Sequence, residues 1–294
     1  MTKIELADEK AIPELVGLWR VSFGDGKDFI RDFIGRYMVP GYNVPVVMSE
    51  GRLAAAMYCV EFPLWSNNAE IGRAVYIYAA ACLPELRGRG YMGELTRYAV
   101  ELYRGRGAKA AFLIPGSEDL FAFWGKLGFA PYYKCSIKPF APADGGYIFT
   151  PLDITDADAF ASLHGAYAAR GRAGRLVPVM DERFYRLSAE SYLSVPGGAA
   201  GTVSYIKGNL CHIFYRKVNN MCIIDDIIPI EGAGLSIEAL AQSAANALGL
   251  IFGVFFPPNH DSNEKPYAML MPLGDEVERL CSGGGEYITM FLNF

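Results

Sequence analysis

The hydrophobic pattern changes period twice between Arg73 and Phe129. Ala74 to Leu83 is an uncharged apolar run, which predicts a strand covered on both faces. Pro84 closes it. Met92, Leu95, Ala99 and Leu102 then recur at helical spacing. Residues 110–114 form a second apolar run. Residues 119–127 predict another helix, with Ser117 near its N-cap.

Upstream, Ile4 and Leu6 suit a first strand. Asp8 is a candidate N-cap for a helix carrying Ile12, Leu15, Val16, Trp19 and Phe23 on one face. Gly24-Asp25-Gly26 breaks that helix, and a second helix over 28–38 ends before Pro40-Gly41. Runs at 44–49 and 53–62 read as a hairpin across Glu50-Gly51, and 63–68 as the following loop. Residues 140–146, with a proline and two glycines, suit a linker. Beyond it, helices are expected at 155–169, 181–192 and 236–248. Strands are expected at 200–207, 210–218, 221–228, 250–257, 268–273 and 287–292. That order repeats the first half and implies a degenerate duplication, with domains at 1–140 and 147–294. The fold class is α/β (α+β), with a mixed sheet flanked by helices.

Composition narrows the classes. The 294 residues are 52% hydrophobic and 13% aromatic, as in a well-cored globular protein. With 27 Lys+Arg against 32 Asp+Glu, the net charge of −5 argues against nucleic acid as main partner. The six cysteines include no Cys-x-x-Cys pair, and the three histidines are not spaced with cysteine for zinc, so no metal is expected. The N-terminus does not read as a signal peptide, and no apolar run reaches membrane-spanning length. These features suit a reducing cytoplasm and no membrane partner.

The candidate chemistry lies in Arg87-Gly88-Arg89-Gly90-Tyr91-Met92-Gly93, between strand and helix. Such a turn presents unpaired N–H groups at the positive end of a helix dipole, which attracts a pyrophosphate. Alternatively it is a tight turn with solvated arginines. Gly88, Gly90 and Gly93 match a dinucleotide fingerprint formally, but the next strand runs into Pro115-Gly116 instead of an acidic residue. The Gly-Lys-Ser/Thr of a nucleoside-triphosphate loop is absent.

This stretch resembles the acetyl-CoA-binding core of the GNAT acyltransferases, whose loop reads Arg/Gln-x-x-Gly-x-Gly/Ala. Arg87 and Gly90 match, Met92 departs from the pattern, and Gly93 falls one place late. Leu83 to Gly88 is similar to the family's loop entry, and Phe123-Trp124-Gly125-Lys126-Leu127-Gly128-Phe129 to its closing helix and Gly-Phe. Leu18 to Asp25 resembles the first helix of a tandem-domain branch. The likeness covers residues 3 to about 140. It implies two GNAT-like domains in tandem, the second lacking the phosphate loop: Pro229-Ile230-Glu231-Gly232-Ala233-Gly234 stands there, with an acid and no arginine.

The resemblance also implies acetyl transfer from acetyl-CoA to a primary amine of a small molecule or peptide. Pantetheine would lie between the strand ends at 79–83 and 110–114, near Ala81, Cys82 and Leu83. The thioester carbonyl would meet backbone N–H near Cys82 and Leu83. The pyrophosphate would sit on the amides from Arg87 through Gly88, Arg89, Gly90, Tyr91 and Met92 to Gly93, with Ser117 and Phe121 flanking. Cys82 is read as packing, since no covalent intermediate is needed. Asp25 and Asp28 would hold the amine, or else serve capping and turn chemistry. Trp65 would line the acceptor pocket or pack.

For proton transfer, Trp124 stands where many relatives carry tyrosine, and an indole cannot give up its proton. Tyr76 and Tyr78 would act through water, or else line the core. Glu85 and Glu118 are the nearest acids, and the carboxylate of Phe294 is a further candidate. Two other functions stay open: a non-catalytic acyl-CoA-binding module, and a second half that does the work through Asp225 and Asp226.

Overall fold

The computed structural model describes residues 2–135, 138–194, 196–206, 208–218, 221–250, 253–255 and 265–282. The chain forms two compact units. One comprises residues up to Phe62, then Gly72–Ala130 and Ala268–Ser282; the other takes Pro63–Ile71 and the described part of Pro131–Tyr267. These are not the consecutive segments 1–140 and 147–294 expected from sequence.

The first unit begins with β1 (Thr2–Leu6), α1 (Ile12–Phe23), α2 (Lys27–Tyr37), β2 (Pro45–Ser49) and β3 (Arg52–Ser66). Asp8 caps a short 3-10 turn at Glu9–Ala11, and α1 starts after it. Glu50 and Gly51, both at positive φ, make the β2–β3 turn. The expected loop at 63–68 is instead mostly strand. β3 continues through Pro63 to Ser66, because Asn67 and Asn68 both adopt positive φ and supply a two-residue turn into β4 (Ala69–Cys82). Then follow α3 (Tyr91–Gly105), β5 (Ala110–Leu113) and α4 (Glu118–Gly125); β6 (Ala130–Cys135) belongs to the second unit from Pro131 onward.

The sheet of this unit runs β1-β2-β3-β4-β5 and is continued by β14 (Lys265–Pro272), a late strand. β4 and β5 are parallel, with Ala74 opposite Ala110 and Tyr76 opposite Phe112. β14 lies antiparallel on the other side of β5, Met269 opposite Leu113 and Pro272 opposite Ala110. Its Met269 and Met271 join Leu95, Ala99 and Tyr103 of α3 and Trp124 of α4 in one core. A short helix, α8 (Asp275–Cys281), follows β14 and has no counterpart among the sequence expectations.

The second unit contains β7 (Lys138–Phe140), β8 (Tyr147–Pro151), α5 (Ala157–Ala173), β9 (Val177–Pro178), α6 (Glu182–Ser194), β10 (Gly198–Tyr205), β11 (Gly208–Val218), β12 (Met221–Pro229), α7 (Ile237–Ala247) and β13 (Gly253–Phe255). Its sheet runs β7-β13-β12-β11-β10-β8. Cys211, Ile213 and Tyr215 alternate along β11 and face the Leu240, Ala241, Ala244 and Ala245 stripe of α7. On the opposite face Phe214 meets Tyr192 of α6 edge-on at 5.2 Å. Phe140, expected in a linker, is a β7 residue opposite Gly253 and sits in this core.

Like β4–α3–β5, β12–α7–β13 is a parallel strand–helix–strand unit. The turn after β12 carries the exposed Glu231 and no arginine. The strand expected at 287–292 lies outside the described residues. No helix among the described residues is long and apolar enough to cross a membrane.

Candidate active site

The site grows from a phase change in β4. Val75 and Ile77 face the core shared with α3, as alternate residues of a strand must. Further along, Ala80 and Cys82 face that same core. The parity switches because Ala79 sits at φ +46, a left-handed residue inside a strand. It acts as an extra residue and redirects the strand, a strain of the kind that accompanies functional positions. The pairing with β5 ends at Tyr76–Phe112, while β4 continues to Cys82. Two parallel strands therefore part at their carboxyl ends.

The chain next makes a 3-10 turn at Pro84–Leu86 and enters α3 through Gly88 and Gly90, at φ +78 and +84. No neighbouring atom lies within 4 Å of a side chain built on either glycine, so they serve the backbone bend and leave the space before it open. The Glu94 N–H donates to the carbonyl of the capping residue Gly90 at 3.1 Å, where the helical ladder begins. The N–H groups of Tyr91, Met92 and Gly93 precede that ladder and point out of the helix end.

A cleft of about 370 Å³ faces this turn, lined by Cys82, Leu86, Arg87, Gly88, Gly90, Tyr91, Met92, Gly93 and Phe123. The Arg87 Nε donates to the Cys82 carbonyl at 3.2 Å, tying the loop to the strand end. Tyr91 hydroxyl and Ser49 hydroxyl are 3.0 Å apart. That bond, with Thr2 and Arg89 adding, holds the Tyr91 phenol below its ordinary pKa.

The structure thus brings Cys82, Arg87, Gly88, Gly90, Tyr91, Met92 and Gly93 to one cleft. Leu86 and Phe123 join them, though sequence reasoning did not assign them. The motif Phe123 to Phe129 carries no sign of which face of the helix Phe123 takes. Ala81 is buried, and Arg89 is exposed beside Tyr91. Ser117 is an exposed N-cap position without a side-chain cap bond. Phe121 packs against the α3–α4 core and does not line the cleft.

One expectation is corrected outright. The Leu83 N–H donates to the Ala54 carbonyl at 2.9 Å, so it is not available to a thioester. Burial is the largest influence on the Cys82 thiol and pushes its pKa up, with Arg87 opposing, so the thiolate needed of a nucleophile is disfavoured.

Among the expected proton-transfer groups, the aromatic ones sit deep. Trp124 is 6% exposed and packs edge-on against Phe123 and Phe129, at 5.1 and 5.9 Å. Tyr76 is buried and stacked on Phe112 at 4.7 Å. Both positions serve the core. Burial pushes the Tyr78 phenol far above its ordinary pKa, and the Asp25 charge adds to this. Glu85 is exposed and pairs with Arg52 at 3.4 Å, and Glu118 is exposed. Phe294 lies outside the described residues.

A second group of residues gathers on the opposite face of β4. The Trp19 indole is 4.9 Å from Phe33, 4.9 Å from Tyr58, 5.7 Å from Tyr78 and 6.3 Å from Phe29, centroid to centroid. Its Nε1 donates to Asp25 Oδ2 at 2.7 Å. The buried Tyr58 hydroxyl has no hydrogen-bond partner among the described residues. Asp25 is therefore a carboxylate among aromatic rings, whereas Asp28 is exposed in the first turn of α2. Trp65 belongs to the second unit, where Arg172 stacks over its ring at 5.1 Å. No cluster of potential metal ligands occurs among the described residues.

In the second unit Asp225 and Asp226 are not a strand-end turn. They lie within β12, buried at 2% and 1% exposure. The β11–β12 register slips between Phe214 and Tyr215, leaving Asp225 as the extra residue of a bulge. Arg216 bonds both oxygens of Asp225, at 2.6 and 2.8 Å, and Tyr192 donates to it at 2.6 Å. Arg170 bonds both oxygens of Asp226 at 2.6 and 3.0 Å. Carboxylates neutralised in this way hold structure and offer nothing to a substrate amine.

Comparison with known proteins agrees with this geometry. Residues 3–132 match the acetyltransferase (GNAT) domain family. No curated protein matches. A probable N-acyltransferase from Enterococcus faecalis superposes with TM-score 0.73 at 10% identity, covering 93% of this chain and 72% of that one. A GCN5-related N-acetyltransferase from Anabaena variabilis gives 0.72 at 12%, covering 93% and 73%. A tandem GNAT protein of the clavulanic acid biosynthesis pathway gives 0.51 at 12%, covering 94% and 99%. At such identities the likeness is one of fold.

Proposed function

We propose, from the premise that residues 3–132 are a GNAT acetyltransferase domain, that this protein moves an acetyl group from acetyl-CoA directly to a primary amine of a small molecule or peptide. The observation that carries this reading is the open cleft at the β4–α3 turn. Its floor is the N-terminal end of a helix, and Arg87 is part of its lining.

The N–H groups from Gly88 to Gly93 would hold the diphosphate, because they lack helical partners and the dipole favours an anion there. Arg87 would add charge while pinning the loop to the strand end. The pantetheine arm would enter where β4 runs on beyond its pairing with β5 and offers unpaired backbone. Cys82 stays a thiol and packs, so attack on the thioester is direct, by the amine nitrogen.

Asp25 is the carboxylate best placed to draw in an alkylammonium group, with Trp19 fixing its orientation and Phe29 and Tyr78 beside it. A cation among aromatic faces and one carboxylate is held in place by both, and its proton would pass to that carboxylate or to water before the nitrogen attacks. Holding both reactants in line supplies much of the rate. The second unit is read as a degenerate GNAT-like domain whose glycine turn, bearing Glu231, does not take an anion.

A second reading, a non-catalytic acyl-CoA-binding module, draws on one observation. Trp124, at the position of the family's tyrosine, is buried in the core and gives no proton to a leaving thiolate. Calorimetry with acetyl-CoA, together with thiol release across polyamines, aminoglycosides, amino acids and peptides, separates the two. Thiol release with any amine, weakened in Arg87→Ala, supports the transferase. Tight binding with no release across the panel supports the module, and no binding removes both.

A further inference from the structure

A second cavity of the first unit, about 390 Å³, lies between α1 and α2. Its lining divides into two parts. Ile12, Pro13, Val16 and Gly17 make an apolar wall along α1, and Arg20, Lys27 and Arg31 supply three cations from α1 and α2. None of these residues lines the acetyl-CoA cleft. We propose that this groove binds a small anionic amphiphile, its apolar body against Ile12, Pro13, Val16 and Gly17 and its carboxylate or phosphate head among Arg20, Lys27 and Arg31.

Three observations converge. First, the volume is that of a ligand pocket. Secondly, the cations are exposed, and among the described residues no carboxylate or other group pairs with Arg20, Lys27 or Arg31. On α2 the next acid along, Asp32, is taken by Arg36 at 2.8 Å. Three like charges around one groove repel one another, and an anion placed among them removes that repulsion. The head also lies by the first turn of α2, whose capping residue Gly26 provides no side-chain acceptor, so the helix dipole adds to the attraction.

Thirdly, Gly17 stands in the interior of α1, where glycine weakens a helix. A side chain built there meets nothing within 4 Å. Packing therefore does not require glycine, whereas an open groove floor does. The apolar wall and the charges sit along one helix face, Ile12, Val16 and Arg20 being spaced by one turn each, which orders body and head along the axis of α1.

The test uses the full-length protein and n-octyl phosphate or octanoate below the micellar range, followed by calorimetry. At least one amphiphile should bind, and the stronger identifies the head. Inorganic phosphate and octanol, the two halves, should each bind at least about tenfold more weakly. Gly17→Leu, which fills the floor while improving helix propensity, and Lys27→Gln/Arg31→Gln, which removes surface charge, should each weaken the amphiphile about tenfold or more, with acetyl-CoA affinity unchanged. If Gly17→Leu unfolds, the charge variant decides. Absence of binding by both amphiphiles overturns the proposal, as does unchanged affinity in the charge variant or displacement of the amphiphile by CoA.

Discussion

Gly90 and Gly107 form a natural pair of perturbations. Both lie at positive φ, +84 and +90, and neither has a neighbouring atom within 4 Å of an added Cβ. They bracket α3, but only Gly90 lines the cleft. Changing either to alanine forces an L-residue into the left-handed region at a cost of about 1–2 kcal/mol. For a chain of this size that lowers Tm by roughly 2–8 °C. The two variants should lose stability alike.

They should part company in binding. Relaxation of the backbone at residue 90 rotates the amides of Tyr91 and Met92 away from their common focus. A hydrogen bond to a charged group contributes about 1.5–3 kcal/mol, so losing one weakens binding about ten- to hundredfold. Isothermal titration with acetyl-CoA and with CoA, beside scanning fluorimetry for Tm, reads both effects. Gly90→Ala should bind both ligands at least about tenfold more weakly, and Gly107→Ala as the unaltered protein does. Equal affinity in the two variants would refute the idea that these amides hold the diphosphate.

Other outcomes follow from single environments. Cys82→Ala should keep kcat within about twofold, since a thiol held protonated forms no acyl intermediate; a loss of turnover with CoA affinity retained would reverse that assignment. His212, buried between Ser162 and Thr202, has its pKa lowered by burial from 6.5 to about 4. The folded state thus holds the neutral ring, and stability is complete above pH 6.5 and falls as pH drops toward 4, by about 3 kcal/mol in all. Urea titrations should find that slope in the unaltered protein and a flatter one in His212→Gln. Asp225→Ala leaves Arg216 and the Tyr192 hydroxyl without their shared carboxylate and should cost about 3–5 kcal/mol; a urea midpoint near that of the unaltered protein would contradict the pairing.

The strand–glycine turn–helix unit was legible because each signal in it is local. An uncharged run, a proline stop, two glycines at positive φ and a helical stripe all lie between Ala74 and Leu102. What the sequence concealed depends on distance. Nothing in Ala79 announces a left-handed residue, yet it decides which side chains of β4 face the core. Trp124 looked like a candidate beside a thiolate, but the core of α3, α4 and β14 absorbs it, and β14 is more than a hundred residues away in sequence. The partners of Asp225 and Asp226 come from α5, α6 and β11, so adjacent acids that suggest a turn are in fact mid-strand. The strand at Pro63–Ser66 was hidden by its proline, which local rules place outside sheets.

β14 carries a consequence for the order in which this protein can be made. Met269 and Met271 cover the flank of β5 that β4 leaves bare, so a nascent chain with residues 1–140 in hand still shows a naked hydrogen-bonding ribbon and an unfinished interior. The first unit completes its sheet and core only once β14 has been made.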